Sequence, residues 1–486
     1  MGEIKLEKNL KLFNCISILI GIVVGTGIFI TPKIVLEHSG SIGITFIMWI
    51  ACGLFSMFGA IAYTGLFSFK NDQKCWSYFF LMSIELGCMI PKAGGEYEYL
   101  MVAFGKLPGF LFIWTFIIII LPATFALTAL TFSDYALQPV YINCSPPASA
   151  RILLAAVAML IITLVNCVSV RLTNLIQNIF NIGKILGLFM IISIGAYCLM
   201  IGRVENFSSP FENSVTHPGE LALAFYNGLY SYSGWSFLNY VIEEIKEPNK
   251  VLPMSIFLGL GGVILIYVFA NIAYFTLLNP FEIIKSSAVA YSFVEKIFPK
   301  LSWIISIFVC LSTLGYINGA LFSASRTIFG AARNNHMPLF LAFINIKFLT
   351  PITSILFMAF SSLIFLIFDD IEFLVKISML SEYIFIGSTV GGLLWLRKTQ
   401  PKVFRPIRVN LFFPITFLIM CLFTIVMTIW ISIEDSIKCI GLISIGIPIY
   451  FFFVVIEKPK SIQRKIDIFT VFVQKLTYSV FDDSSE

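Results

Sequence analysis

The chain reads as an all-α membrane protein of about twelve transmembrane helices. Three observations predict this. Hydrophobic residues fill 58% of 486 positions and charged residues only 12%, against about a quarter charged in soluble domains. The mean hydropathy is +0.92. The apolar residues fall in long runs with few or no charges, each near the ~20 residues that a helix needs to cross a bilayer.

The runs justify the elements in order. Spans 1 to 4 are Leu12–Pro32, Ser39–Phe69, Leu107–Ser133 and Ile152–Val170. Spans 5 to 8 are Ile185–Gly202, Leu221–Ile242, Val251–Phe281 and Leu301–Ser325. Span 9 is Phe348–Phe368, and span 10, Ile377–Leu396, carries the single acid Glu382. Spans 11 and 12 are Val409–Ile433 and Cys439–Ile456. The transmembrane domain therefore covers 12–456, between an N-terminal segment 1–11 and a tail 457–486. The first run is read as a span and not a signal peptide, because no small-residue cleavage site follows it.

Cations set the orientation. Lys5, Lys8 and Lys11 precede span 1, and Lys70, Lys74 and Lys92 separate spans 2 and 3. Arg326, Arg333 and Lys347 follow span 8. Arg397, Lys398, Lys402, Arg405 and Arg408 separate spans 10 and 11, and Lys458, Lys460, Arg464 and Lys465 follow span 12. Lys285, Lys296 and Lys300 between spans 7 and 8 run against this trend. Both termini are expected in the cytoplasm, with the 3–4 loop outside. The net charge of +5 is accounted for by these loops and implies no nucleic-acid partner. Ten cysteines without CxxC spacing and three dispersed histidines, His38, His217 and His336, imply no metal centre, no cofactor and no enzyme. A loop histidine such as His336 is expected to be solvated.

Two spans break helical rules. Span 1 contains Gly21-Ile22-Val23-Val24-Gly25-Thr26-Gly27, and span 6 contains Tyr230-Ser231-Tyr232-Ser233-Gly234-Trp235-Ser236. Glycine weakens a helix, and unwound backbone in a bilayer survives only where protein or a water-filled cavity satisfies it. The half-helix N-termini so freed can hold a carboxylate and the freed carbonyls an ammonium. Spans 1 and 6 are equivalent positions in two five-span repeats, which points to a substrate site. The competing explanation is close helix packing through small residues.

These residues resemble the light subunits of heteromeric amino-acid transporters, within the amino acid–polyamine–organocation superfamily. Gly25-Thr26-Gly27-Ile28-Phe29-Ile30-Thr31-Pro32 is similar to that family's span 1 motif. The stretch from Met89 to Tyr97 resembles its IPKSGGEY segment. Tyr232-Ser233-Gly234-Trp235, Leu238-Asn239 and Glu243-Glu244 resemble its span 6. Asn318-Gly319, Ser325-Arg326 and Ala332-Arg333 match its span 8, and Arg405–Val409 matches its R-P-[IF]-K-V motif.

The resemblance implies a LeuT-like 5+5 inverted repeat with broken helices 1 and 6. It also implies sodium-independent obligatory exchange at the plasma membrane by alternating access. The implied substrate-binding residues are Val24, Gly25, Thr26 and Gly27 in span 1 and Tyr230, Ser231, Ser233 and Ser236 in span 6. Gly25, Thr26 and Gly27 would face the carboxylate, backbone around Tyr230–Ser233 the ammonium, and Tyr230 would be the gate. Lys184 aligns with the family's span 5 lysine, a fixed cation where sodium-coupled relatives bind an ion; the alternative is a loop-end cation at the surface. The family tethers a single-span glycoprotein heavy chain by a disulfide in the 3–4 loop, which implies that Cys144 carries it. Asn143-Cys144-Ser145 and Asn206-Phe207-Ser208 also fit the glycosylation pattern.

Three positions depart from the pattern. About twenty residues, Gly65 to Ile84, separate Tyr63-Thr64 from Glu85-Leu86-Gly87. They are either a loop insertion or translated intron sequence; the clean rejoining of the flanks favours the second. Leu121-Pro122 stands where the cystine/glutamate exchanger has an arginine, and Glu382 aligns with that exchanger's second arginine. Leu121 and Glu382 therefore point to neutral substrates, with dibasic ones allowed. Glu382 lies five residues after Ile377, in the outer vestibule or nearer the pocket, unless it pairs with Lys376. Two other functions remain open: an anionic, cystine/glutamate-type exchanger, and a transport-inactive receptor or scaffold.

Overall fold

The computed structural model describes residues 11–64, 95–141, 146–334, 336–368, 370–400, 410–456 and 459–481. The insert 65–84, Cys144 and Asn143, the Met89–Gly94 part of the IPKSGGEY-like stretch and the Arg405–Val409 motif lie outside the described residues.

Span 1 is a broken helix. Leu12–Val23 and Gly27–Ser39 are separated by Val24–Thr26 and bent by 49°. Span 6 is broken at the matching place. Its first half is the α-helix Pro218–Ser231, followed by a turn and a 3₁₀ segment Trp235–Glu244. Gly234 holds φ +94° in that turn, a conformation that L-residues avoid. Among the described residues, nine helices are long and apolar enough to cross a bilayer, and the bent pair makes ten. Ile352–Phe365 is a shorter apolar helix in the place of span 9. The expected twelve thus needs that helix and broken span 6 in addition. Large apolar side chains such as Phe189, Phe360 and Trp430 point outwards, the pattern of a surface solvated by lipid.

Capping explains several ends. Pro218 and Pro248 occupy first-turn positions, where the missing N–H costs nothing. The Ser169 side chain accepts from the Leu172 N–H and starts span 5 at Val170, fifteen residues before the apolar run begins. Asp370 accepts from the Glu372 and Phe373 N–H groups and starts span 10 at Ile371. Span 5 packs tightly through small residues. A Cβ on Gly183 would lie 2.6 Å from Leu311 and one on Gly187 2.9 Å from Phe308, both in span 8. This i,i+4 glycine pair draws spans 5 and 8 together.

The tail is structured, which composition did not signal. Lys460–Thr477 is a helix. Beyond it, β2 (Ser479–Phe481) pairs antiparallel with β1 (Phe343–Asn345) in the 8–9 loop, with Asn345 opposite Ser479. The Asn345 side-chain amide donates to the Thr477 carbonyl at 2.7 Å and fastens the joint.

Candidate functional site

The two breaks lie against each other. Gly27 touches Ser231: a Cβ there would lie 2.7 Å from the Ser231 hydroxyl oxygen and would overlap its Cα. Only glycine permits this approach. Hydroxyls then tie the breaks together. Thr26 Oγ1 and Tyr230 Oη are 3.0 Å apart, and Thr31 Oγ1 and Ser231 Oγ are 2.5 Å apart. Tyr267 Oη, from span 7, lies 2.9 Å from both the Val23 and Ser231 carbonyl oxygens and shares its one proton between them. Ser312, from span 8, donates to the Gly25 carbonyl at 3.4 Å. The orphan carbonyls of both breaks are thereby partly satisfied, as buried backbone demands.

The helix restarting at Gly27 leaves first-turn N–H groups without intrahelical partners. It is one of the features that can receive a carboxylate. On the span 6 side, the carbonyls of Leu229 and Tyr230 accept from the Tyr232 and Ser233 N–H groups. With Ser231 bonded to Tyr267, those three oxygens are already engaged.

Lys184 is buried at 2% exposure in the middle of Val170–Met200. Its Nζ donates to the Gly21 carbonyl, just before the break in span 1. The surface, loop-end alternative is therefore overturned. One face of the polar stretch that delayed the span in sequence meets protein: Gln177 accepts from Asn318, which Asn166 also bonds.

For Glu382, the open choice between outer vestibule and pocket falls to the pocket. It lies eleven residues beyond Ile371, or about 16 Å along a helix rising 1.5 Å per residue. It does not pair with Lys376, which bonds Glu372 at 2.7 Å. Instead the Ser233 hydroxyl faces both of its carboxylate oxygens, at 3.1 and 3.0 Å. Span 10 thus reaches the break of span 6.

Ser233, Ser236, Leu121 and Glu382 line one chamber of about 30 Å³ with Glu96, Thr124, Tyr316 and other side chains. Such a space holds roughly one or two waters and no amino acid. Gly25, Thr26, Gly27, Tyr230 and Ser231 sit in the hydroxyl network, and neither they nor Val24 line the chamber. A separate vestibule of about 590 Å³ reaches Phe29 and Tyr135 from the side opposite the termini. Tyr135 donates to the Phe29 carbonyl at 3.1 Å and forms part of its floor. The structure is therefore closed between vestibule and chamber.

Sequence reasoning missed Tyr316, Glu96, Thr124 and Tyr267. A Cβ on Gly25 would lie 3.0 Å from the Tyr316 ring, so glycine there makes room for that ring. Thr124 had a local signal: Pro122 follows a π-helical segment Phe116–Ile120, and such segments mark functional sites. His336 is a correction. It is buried at 4% exposure and bonded through Nδ1 to the Tyr97 hydroxyl at 2.7 Å. Burial, and then the charge of Lys106, hold it below the usual imidazole range. The Asn206 amide nitrogen donates to the Phe275 and Leu278 carbonyls at 2.9 and 3.3 Å, so its expected glycosylation competes with backbone contacts.

A helical, multi-pass membrane protein with two opposed helix breaks at mid-span has the build of a solute carrier. The family model for amino acid permeases matches residues 75–456. The chain is 39% identical to the human large neutral amino acids transporter small subunit 2, over 99% of this chain and 87% of that protein. It is 40% identical to the mouse b(0,+)-type amino acid transporter 1, over 92% and 88%. It is 38% identical to the mouse Asc-type amino acid transporter 1, over 99% and 88%. The chain belongs to the amino acid permease family, among the light subunits of heteromeric amino-acid transporters. Amino-acid transport, and no enzymatic reaction, is the activity these relatives share.

Proposed function

We propose that the protein is a sodium-independent exchanger of neutral, and also dibasic, L-amino acids at the plasma membrane. The observation that carries this reading is the apposition of the two breaks, Gly27 against Ser231 with Thr26 bonded to Tyr230. One closed arrangement of these groups separates vestibule from chamber, and alternating access follows from opening it on one side at a time. The substrate carboxylate takes the N–H groups that begin at Gly27, and the ammonium takes backbone beside Ser233. Tyr230 swings as the gate.

Lys184 supports sodium independence. A lysine amine bonded to the Gly21 carbonyl occupies an acceptor beside the span 1 break and, when protonated, opposes a second cation there. Glu382 supports the substrate range, because a carboxylate in the chamber repels anionic side chains and attracts cationic ones, while Leu121 offers no cation to hold an anion. The anionic-exchanger reading is disfavoured on the same ground. The termini are assigned to the cytoplasm from the loop cations, and the heavy chain is a single-span glycoprotein joined at Cys144.

The test is a trans-stimulation panel in proteoliposomes with Glu382→Gln beside the unmodified protein. Internal neutral amino acid should accelerate uptake of labelled leucine. In Glu382→Gln, lysine or arginine uptake should fall more than leucine uptake. Strong glutamate exchange by the unmodified protein would refute the charge argument.

A further inference from the structure

Among the described residues, an apolar cleft lies away from the substrate path. It has a volume of about 730 Å³, within the ~300–1,000 Å³ typical of small-molecule sites. Its walls come from five parts of the chain: Trp114 and Ile118 in span 3, residues 336–341 of the 8–9 loop, Phe357 in span 9, Phe453 at the end of span 12, and Phe469 on the C-terminal helix. Trp114 and Ile118 are eight and twelve residues beyond Lys106, so the cleft runs about 12–18 Å along span 3 at 1.5 Å per residue. It opens beside the C-terminal helix and extends along the apolar residues of span 3.

The lid is the C-terminal helix. Phe469 meets the Phe340 ring at 5.6 Å, edge to face. Ile468, Phe472 and Leu476 are exposed along this helix, and Phe469 itself is half exposed. A helix with apolar residues exposed at a membrane edge and cations at its start lies in the interface plane. The sequence around that start holds Lys458, Lys460, Arg464 and Lys465 against the single acid Glu457. Such a cluster directly after a membrane span attracts anionic headgroups. Lys465 and Gln463 line the cleft mouth, and Asp467 is engaged by Gln463 at 2.9 Å.

We propose that this cleft holds an acyl chain of an anionic phospholipid from the leaflet on the C-terminal side, with its headgroup at Arg464 and Lys465 under the C-terminal helix. The apolar walls take the chain and the basic rim selects the headgroup. Charge complementarity distinguishes this occupant from a neutral lipid, and the depth of the cleft distinguishes it from a soluble anion.

The test uses the full chain in nanodiscs containing phosphatidylserine or phosphatidylcholine with the same photoactivatable acyl chain. After irradiation, labelled peptides are mapped by mass spectrometry. Label is expected on the peptides bearing Trp114–Ile118 and Ile466–Thr470, at least about fivefold more from the serine headgroup, the scale set by one surface cation. Arg464→Glu with Lys465→Glu, both at exposed positions, should abolish the headgroup preference. Thr470→Trp should fill the cleft and reduce its labelling, while label on the lipid-facing belt near Phe189 and Phe360 stays unchanged and reports an intact fold. Equal labelling by the two lipids would refute the headgroup assignment. Cleft labelling no stronger than that of the belt would overturn the proposal, whatever Thr470→Trp does to folding.

Discussion

Gly27→Ala is the sharpest test of the joint between the two breaks. The added Cβ would lie 2.7 and 2.8 Å from Ser231 Oγ and Cβ and would overlap Ser231 Cα. Carbon contacts settle at about 3.5–4.0 Å, so the breaks must separate by about 1 Å. Backbone of span 6 is what must move, and Ser231 is held by Thr31 and Tyr267. Overpacking of this kind costs about 1–3 kcal/mol. If that cost falls on the closed arrangement alone, its population drops about 5- to 150-fold. Initial-rate leucine uptake, normalised to surface-biotinylated protein, should fall by at least about fivefold on this scale. Gly261→Ala is the control: a Cβ there meets nothing within 4 Å in the middle of span 7, and helix propensity favours it by about 1 kcal/mol. Normal uptake by Gly27→Ala would show that closure does not need this contact. Equal loss in both variants would show a general intolerance of helix changes.

Three further outcomes follow from the same geometry. Tyr230→Ala removes the ring and its bond to Thr26, and should abolish uptake while leaving surface expression unchanged; near-normal uptake places the gate elsewhere. A non-reducing gel of cells expressing the protein should show a heavy band that collapses on reduction, and the same band persisting in Cys144→Ser would refute the tether. The pH outcome concerns His336, which is held neutral by burial and by Lys106. A base whose pKa is lowered on folding contributes stability that is full above its unfolded value of about 6.5 and is lost as pH falls toward the folded value. The protection factors of residues 337 and 339–342, that is, exchange corrected for its intrinsic pH dependence, should therefore fall between pH 7.5 and 5.5, and His336→Gln should blunt the change; pH-independent protection factors contradict it.

The helix breaks were legible because their cause is local: Gly25 and Gly27 in one span, and Ser233-Gly234 in the other, weaken helix wherever they occur. Their mutual contact was not legible, since it depends on how spans 1 and 6 cross. Lys184 and Glu382 were visible as oddities, and the sequence left their depth open for one reason. Hydropathy ends a span at its polar residues, whereas the helices continue through them. Asn181, Gln177 and Thr173 face span 8 and other protein, and Lys376 is neutralised by Glu372. The caps Ser169 and Asp370 were better guides to the true starts than the apolar runs. His336 hid for the converse reason, because a loop position gives no hint of the Tyr97 partner brought in from the segment before span 3. The three-residue strands β1 and β2 are too short to carry a periodic signal. Tyr267 and Tyr316 act by tertiary approach to broken backbone, which no spacing in their own helices announces.

The most direct measurement of the central claim is leucine uptake into proteoliposomes with sodium replaced by choline, with and without internal leucine. Lys184 on the Gly21 carbonyl and the closed joint between spans 1 and 6 predict uptake that is unchanged by choline and strongly dependent on internal substrate. Loss of most uptake in choline, or full uptake into empty vesicles, would contradict sodium-independent exchange.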